Sequence, residues 1–251
     1  MTIPTPVREC VSKAESICVL TGAGISAESG VPTFRGKEGL WKKFRAEELA
    51  NFDSFLRNPE LVWEWYSYRK KIINEVQPNP GHIALAEMQR LIRDFTLVTQ
   101  NVDNLHSRAG SRDVLELHGN ITRSYCIRCR KAAFEESLSK AEKIPVCEFC
   151  GGLVRPDVVW FGEYLPAAAF EEAMESARRC DLFLCVGTSG VVYPAASIPL
   201  TAKEHGAFVL EINPEYTDLS SRVSDTLIGK AGEILPDLVR IMKKEHNHES
   251  A

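Results

Sequence analysis

The sequence predicts an α/β protein: a parallel sheet with helices on both faces, accompanied by a four-cysteine zinc ribbon. Two patterns carry that prediction. Short apolar runs of strand length alternate along the chain with longer segments of helical apolar spacing, the mark of strands joined by crossover helices. Four of the eight cysteines fall into two C-x2-C pairs. The composition, 44% hydrophobic and 25% charged, excludes a disordered, collagen-like or coiled-coil chain. A length of 251 residues suits one large domain with insertions, or one domain with a small satellite.

In chain order, Ile17-Cys18-Val19-Leu20 is the first buried strand and Phe95-Thr96-Leu97-Val98-Thr99 the second. Leu182-Phe183-Leu184-Cys185-Val186 is the third, Phe208-Val209-Leu210-Glu211-Ile212 the fourth, and Thr226-Leu227-Ile228 a weaker fifth. Helical patterns fall at 59–76, 82–93, 167–179, 195–204 and 233–244, with a polar tail from Lys243 expected to fray. The most apolar window, 182–200, is broken by Gly187, Thr188, Ser189, Gly190 and Pro194, so it reads as strand, turn and helix rather than a membrane span. The first eight residues carry two prolines and no apolar signal-peptide core, so a cytoplasmic chain is expected, with no membrane partner. In that compartment grouped cysteines serve as ligands rather than disulfides. A net charge of −4, from 30 basic and 34 acidic residues, argues against nucleic-acid binding driven by the phosphate backbone.

Cys126-Ile127-Arg128-Cys129 is followed after 17 residues by Cys147-Glu148-Phe149-Cys150, a zinc-ribbon spacing. Each knuckle turns tightly enough to aim two thiolates at one metal, and Gly151-Gly152 supplies permissive backbone after the second. Four thiolates close the tetrahedron, so one structural zinc per chain is expected, with no open position for a reacting water. Cys10, Cys18, Cys180 and Cys185 lack this spacing, and Cys18 and Cys185 lie in strand-like runs that suit core positions.

In open α/β sheets ligands bind beyond the carboxyl ends of the strands. Strand one leads into Gly22-Ala23-Gly24-Ile25-Ser26-Ala27, a G-x-G-x-x-A loop. Two readings fit it: a cradle for a pyrophosphate at a helix N-terminus, or a tight strand-to-helix turn with no ligand. An ordinary dehydrogenase loop would run into a full helix, a second strand and an acidic residue. Here Pro32 interrupts almost at once, and Thr33-Phe34-Arg35-Gly36-Lys37-Glu38-Gly39 reads as a loop able to fold over a ligand. Strand two leads into Gln100-Asn101-Val102-Asp103-Asn104, strand three into Gly187-Thr188-Ser189-Gly190, and strand four into Asn213-Pro214-Glu215. Small residues and amides at successive strand ends suit phosphates and riboses. His118, in Leu115-Glu116-Leu117-His118-Gly119, reads on spacing alone as a satisfied core residue or as a catalytic one.

Together these segments resemble the sirtuin family of NAD-dependent protein-lysine deacylases. The resemblance rests on Gly22-Ala23-Gly24-Ile25-Ser26 with Ser29-Gly30-Val31-Pro32-Thr33-Phe34-Arg35, on Thr99-Gln100-Asn101-Val102-Asp103, on Leu117-His118-Gly119 and on the four cysteines. Val158-Val159-Trp160-Phe161-Gly162-Glu163, Gly187-Thr188-Ser189 and Glu211-Ile212-Asn213 extend it over nearly the whole chain. It implies a Rossmann-like NAD domain of 1–36, 78–123 and 154–251, and a smaller domain made of a helical insertion at 37–77 and the zinc ribbon at 124–153. Gly22, Ala23 and Gly24 would line the NAD phosphates, with Phe34, Arg35 and Trp41 on the covering segment. Asn101 and Asp103 would hold the nicotinamide end and Gln100 its ribose. Gly187, Thr188, Ser189, Asn213 and Glu215 would face the phosphates and adenosine ribose, and Ala231 the adenine. An acyl-lysine protein or peptide would add as a strand between Phe161-Gly162-Glu163, with Val159 beside them, and the segment near Val191-Val192-Tyr193.

The chemistry so implied is attack of the acyl oxygen on a ribose carbon as nicotinamide leaves. His118 would then act as general base on a ribose hydroxyl, giving free lysine and O-acyl-ADP-ribose. The resemblance is to the class III members that remove succinyl and malonyl groups. Tyr66 and Arg69, three apart on a helix, share a face and can receive a carboxylate, while Ala46 and Ala50 leave acyl room. A sirtuin acting mainly as a deacetylase is the neighbouring alternative. The other function classes, an NAD oxidoreductase and a zinc-ribbon nucleic-acid binder, lack an acidic strand end and a basic surface respectively. A monomer is expected.

Overall fold

The strand β1 (Ser16–Thr21) lies at the centre of the protein, paired in parallel with β2 (Asp94–Thr99) on one side and β6 (Leu182–Val186) on the other. The computed structural model describes residues 3–33, 49–133 and 144–248. Beyond β2 lies β3 (Leu115–Glu116), and beyond β6 lie β7 (Phe208–Asn213) and β8 (Asp225–Ile228), giving the order β3-β2-β1-β6-β7-β8 with every pairing parallel. The near-continuous apolar strands follow from burial on both faces. Ile17 and Val19 enter one core cluster while Cys18 and Leu20 enter the other, because successive side chains point to opposite faces. The same alternation places Leu182 and Leu184 opposite Phe183 and Cys185.

One face is covered by α1 (Thr5–Lys13), α5 (Pro80–Leu91) and α9 (Ala231–His248), and the other by α7 (Ala167–Arg179) and α8 (Ile198–Glu204). α1 is a helix the sequence pattern did not single out; it docks through Val7 and Val11, one helical turn apart and both buried. α5 begins two residues before its predicted start. Asn79 caps it by accepting from Gly81 N at 2.9 Å, and Pro80 occupies its first position, where no N–H is needed. The predicted helix 195–204 divides into a 3-10 turn, Ala195–Ser197, and α8, with Pro199 at its start. The polar tail from Lys243 is helical as far as His248, the end of α9, and Lys243 Nζ forms an ion pair with Glu87 Oε1 of α5.

A second cluster of elements sits beside the sheet. It holds α3 (Phe52–Arg57), α4 (Pro59–Glu75) and the antiparallel pair β4 (Gly119–Cys126) and β5 (Val154–Val158). The helices and the cysteine-bearing hairpin share one core, in which Phe55, Val62 and Trp63 meet Ile121, Cys126 and Val154. Trp63 Nε1–H donates to Val154 O at 2.9 Å, so two segments far apart in sequence are joined by a directed bond as well as by apolar contact. Asn51 caps α3 by accepting from Ser54 N at 2.8 Å. Among the described residues no helix is long and apolar enough to cross a membrane.

Candidate active site

The strand order reverses between β1 and β6, where a parallel sheet opens a crevice at its carboxyl edge. The two loops leaving these strands lie against each other. Gly22 N donates to Val186 O at 2.9 Å and Gly24 N to Gly187 O at 2.8 Å. A Cβ on Gly24 would stand 2.7 Å from Gly187 Cα, and one on Gly187, whose φ is +60°, would stand 2.4 Å from Ile25 N. The glycines are therefore required by loop-to-loop contact whatever is bound. The loop readings left open by the sequence, tight turn and ligand cradle, are thus not exclusive.

Gly22, Ala23, Gly24, Gln100, Asn101, His118, Gly187, Thr188, Ser189, Asn213 and Glu215 line one cleft of about 360 Å³ along this edge. Ala231 lines an adjoining cavity of about 450 Å³ with Lys230 and Pro214. The cleft walls are cross-braced: Gln100 Nε2 donates to Thr188 Oγ1 at 3.0 Å, and Asn213 Nδ2 to Thr188 O at 2.8 Å. Glu211, fully buried near the end of β7, accepts from Thr217, Ser220, Thr226 and Asn213 and so ties these loops together. Phe34, Arg35, Trp41 and Ala46 lie outside the described residues.

Asp103 lies behind the cleft rather than on its wall. Its carboxylate accepts from Ser26 Oγ at 2.7 Å and Leu105 N at 3.0 Å. Burial pushes its pKa up, and these donors oppose the shift. Ser26 Oγ in turn accepts from Asn101 Nδ2 at 3.2 Å and meets His82 Nε2 at 3.3 Å. His82 Nδ1 accepts from Asn79 N, so Nε2 carries the proton and donates to Ser26. Burial holds His82 neutral, with a pKa lowered to about 4. Asn79 and His82 escaped the sequence reading. The signal present, an asparagine preceding a proline at a helix start, announces a cap and nothing about a site.

His118 enters from the residue just before β4. Gly119, at φ +76°, lets that strand pass so close that a Cβ there would lie 2.2 Å from Asp157 O. His118 Nδ1 lies 2.8 Å from Gln100 O. A carbonyl accepts only, so Nδ1 carries the proton and Nε2 of the neutral ring is a base. Burial lowers the His118 pKa, partly offset by the bond to Gln100.

His118 and Gln100 also line a second cavity, of about 340 Å³, walled by Ala50, Tyr66, Arg69, Val159, Phe161, Gly162 and Glu163. Tyr66 is fully buried and its hydroxyl accepts from Trp160 Nε1 at 2.8 Å. The buried Arg69 guanidinium lies 4.8 Å over the Trp65 ring, and burial lowers its pKa. The Glu163 side chain is engaged by Arg155, whose NH2 lies 2.9 Å from Oε2, and by Trp160 N at 2.8 Å. Arg155 also stacks 3.4 Å from the Trp160 ring centroid and donates to Val158 O at 2.7 Å. It therefore clamps the 158–163 turn from beneath, a role no motif indicated. Val159 N donates to His118 O at 3.0 Å, joining that turn to the histidine.

The four predicted metal ligands converge. The Sγ atoms of Cys126, Cys129, Cys147 and Cys150 all lie within 4.8 Å of one another, with Cys126–Cys150 at 3.5 Å and Cys129–Cys147 at 3.6 Å. Those separations are too long for disulfides and close to the roughly 3.8 Å edge of a tetrahedron with Zn–S bonds of about 2.3 Å. The cluster fits a structural zinc.

The sequence profile described as the Sir2 family matches residues 22–194. That span contains the glycine loop, His118, the cysteine cluster and both cavities' central residues. The chain belongs to the Sir2 family. The NAD-dependent protein deacylase of Aquifex aeolicus is 56% identical over 205 residues, covering 82% of this chain and 86% of the relative. A crystal structure of a Sir2 homolog–NAD complex superimposes with a TM-score of 0.90 at 46% identity, covering 97% of this chain and 95% of the other. A Sir2–p53 peptide–NAD+ structure does so with a TM-score of 0.84 at 32% identity, covering 98% of this chain and all of the other, 100%. The sirtuin resemblance read from the sequence is thus confirmed at the level of the family.

Proposed function

We propose that this Sir2-family chain is an NAD-dependent protein-lysine deacylase, and that its acyl cavity takes succinyl and malonyl groups as well as acetyl. The deacylase activity follows from relatives that carry that name over most of their length. One observation carries the mechanism. His118 is a shared wall of both cavities, so a single base stands between a cofactor cleft and a substrate channel.

NAD bound in the cleft supplies an electrophilic ribose carbon with nicotinamide as leaving group. Asn101, oriented by Ser26 and through it by Asp103, would hold the nicotinamide end, while the Gly22–Gly24 loop would present backbone to the phosphates. The acyl-lysine enters through the second cavity, its peptide lying along the turn that Arg155 clamps. His118 Nε2 takes a proton from a ribose hydroxyl, and the bond from Nδ1 to Gln100 O stabilises the cation that forms. A carboxylate-bearing acyl group finds Arg69 and Tyr66 on the wall of the same cavity. The charge is then met by a guanidinium instead of being buried alone.

Acetyl- and succinyl-lysine peptides, assayed side by side for nicotinamide release with NAD, test this. Turnover of both, with succinyl favoured, is expected. Acetyl-only turnover removes the carboxylate reading, and NADH formation in place of nicotinamide release would remove the deacylase reading altogether.

A further inference from the structure

The Tyr66 hydroxyl lies 2.8 Å from Trp160 Nε1, whose N–H donates to it. An indole N–H donates and never accepts, so the phenol oxygen is the acceptor in that bond. Its own proton must then point away from Trp160. Burial raises the Tyr66 pKa, which keeps that proton in place. Trp160 has little freedom to turn aside. Arg155 lies 3.4 Å over its ring, the Phe55 ring centroid is 5.2 Å away, and its backbone N–H is bonded to Glu163.

We infer that Trp160 is a positioning residue for acyl selectivity. By holding an acceptor position of Tyr66, it commits the phenolic O–H to donate into the acyl cavity. The pocket is thereby set to favour an acyl chain that ends in an acceptor, a carboxylate above all. The inference rests on the carboxyl-acyl reading of the cavity. It adds a link that reading lacks: the turn that would carry the substrate peptide and the group that would read the acyl terminus are joined through one indole.

The test measures kcat/KM on succinyl-, butyryl- and acetyl-lysine peptides for wild type, Trp160→Phe, Tyr66→Phe and the double variant. Butyryl matches succinyl in carbon count and lacks the carboxylate. Trp160→Phe keeps an aromatic ring against Arg155 and removes the N–H. Desuccinylation should fall about three- to tenfold, chiefly through KM, as for one lost hydrogen bond. Debutyrylation and deacetylation should change less than about twofold, and the double variant should be no worse than Tyr66→Phe. If Trp160→Phe also lowers the melting temperature, benzothienylalanine incorporated at position 160 keeps the shape without the N–H and should give the same succinyl-specific loss. Equal losses on all three peptides, or losses that add in full to those of Tyr66→Phe, overturn the inference and leave Trp160 as packing. A wild type that treats succinyl and butyryl alike, with Arg69→Met not separating them, shows instead that the carboxyl-acyl reading is wrong and takes this inference with it.

Discussion

Replacing Arg69 by methionine is the perturbation with the sharpest expected outcome. The residue is 7% exposed, and its guanidinium is stacked 4.8 Å from the Trp65 ring centroid and 5.5 Å from that of Tyr66. Burial lowers its pKa, yet an arginine remains charged at neutral pH. A succinyl carboxylate leaving water for this cavity needs that charge. A charge-assisted hydrogen bond is worth about 1.5–3 kcal/mol net, which converts to roughly 10- to 150-fold in kcat/KM. Arg69→Met should therefore cost desuccinylation at least about tenfold, while deacetylation, which places no charge there, falls by less than about threefold. Methionine keeps comparable apolar volume but removes a positive charge that favours the buried Asp103 carboxylate, so the melting temperature should fall as well, and the selective loss of desuccinylation over deacetylation is the readout. Arg69→Lys should recover only part of the loss, because an ammonium lacks the planar fork. The assay is steady-state kcat/KM on matched succinyl and acetyl peptides with saturating NAD. Equal depression of both activities by Arg69→Met refutes the reasoning and makes this residue scaffold.

His118→Ala should abolish turnover on every acyl peptide while NAD still binds by calorimetry. In wild type, because burial lowers the His118 pKa, the acid limb of the kcat/KM profile should have its midpoint below the ordinary histidine value of about 6.5. His82, with its folded pKa lowered to about 4, binds fewer protons folded than unfolded. Stability should therefore drop as pH falls from about 6.5 to about 4, by up to ~3 kcal/mol from this residue, and His82→Gln should flatten that slope in urea titrations. One zinc per chain should be found by atomic emission, and Cys126→Ala should release it and lower the melting temperature; metal-free protein that melts unchanged would contradict a structural role. Gly187→Ala forces a Cβ to 2.4 Å from Ile25 N at a φ of +60°, so it should lower the melting temperature and weaken NAD binding together.

Some elements were legible because their cause is local. Leu182–Val186 was predicted residue for residue, since a run of apolar side chains of that length, bounded by a glycine, fits only a strand buried on both faces. The helix Ala167–Arg179 was predicted to both ends for the same kind of reason. β4 was missed because its apolar alternation is interrupted where its register slips between Asn120 and Ser124. β3 is two residues long, too short for a period to register. Arg155 was invisible because an arginine inside a strand reads as solvent-facing until its partners, Glu163 and Trp160, are seen around it.

By itself the sequence determined the local chemistry: which runs become strands, which loop is glycine-rich at a strand end, and which four thiols suit one metal. These follow from periodicity, backbone freedom and ligand spacing over a few residues. Only the tertiary structure decided what those groups do to one another. It brought Trp160 to Tyr66 across 94 positions in the chain, put Gly24 against Gly187, and made His118 common to two cavities. It also tied Asp103 to Ser26 and gave the Glu163 carboxylate to Arg155. Such pairings depend on how crossover connections bring distant strand ends together and on how a shared apolar core closes. A sequence period carries the first few ångströms of that geometry, and the packing of the whole chain supplies the rest.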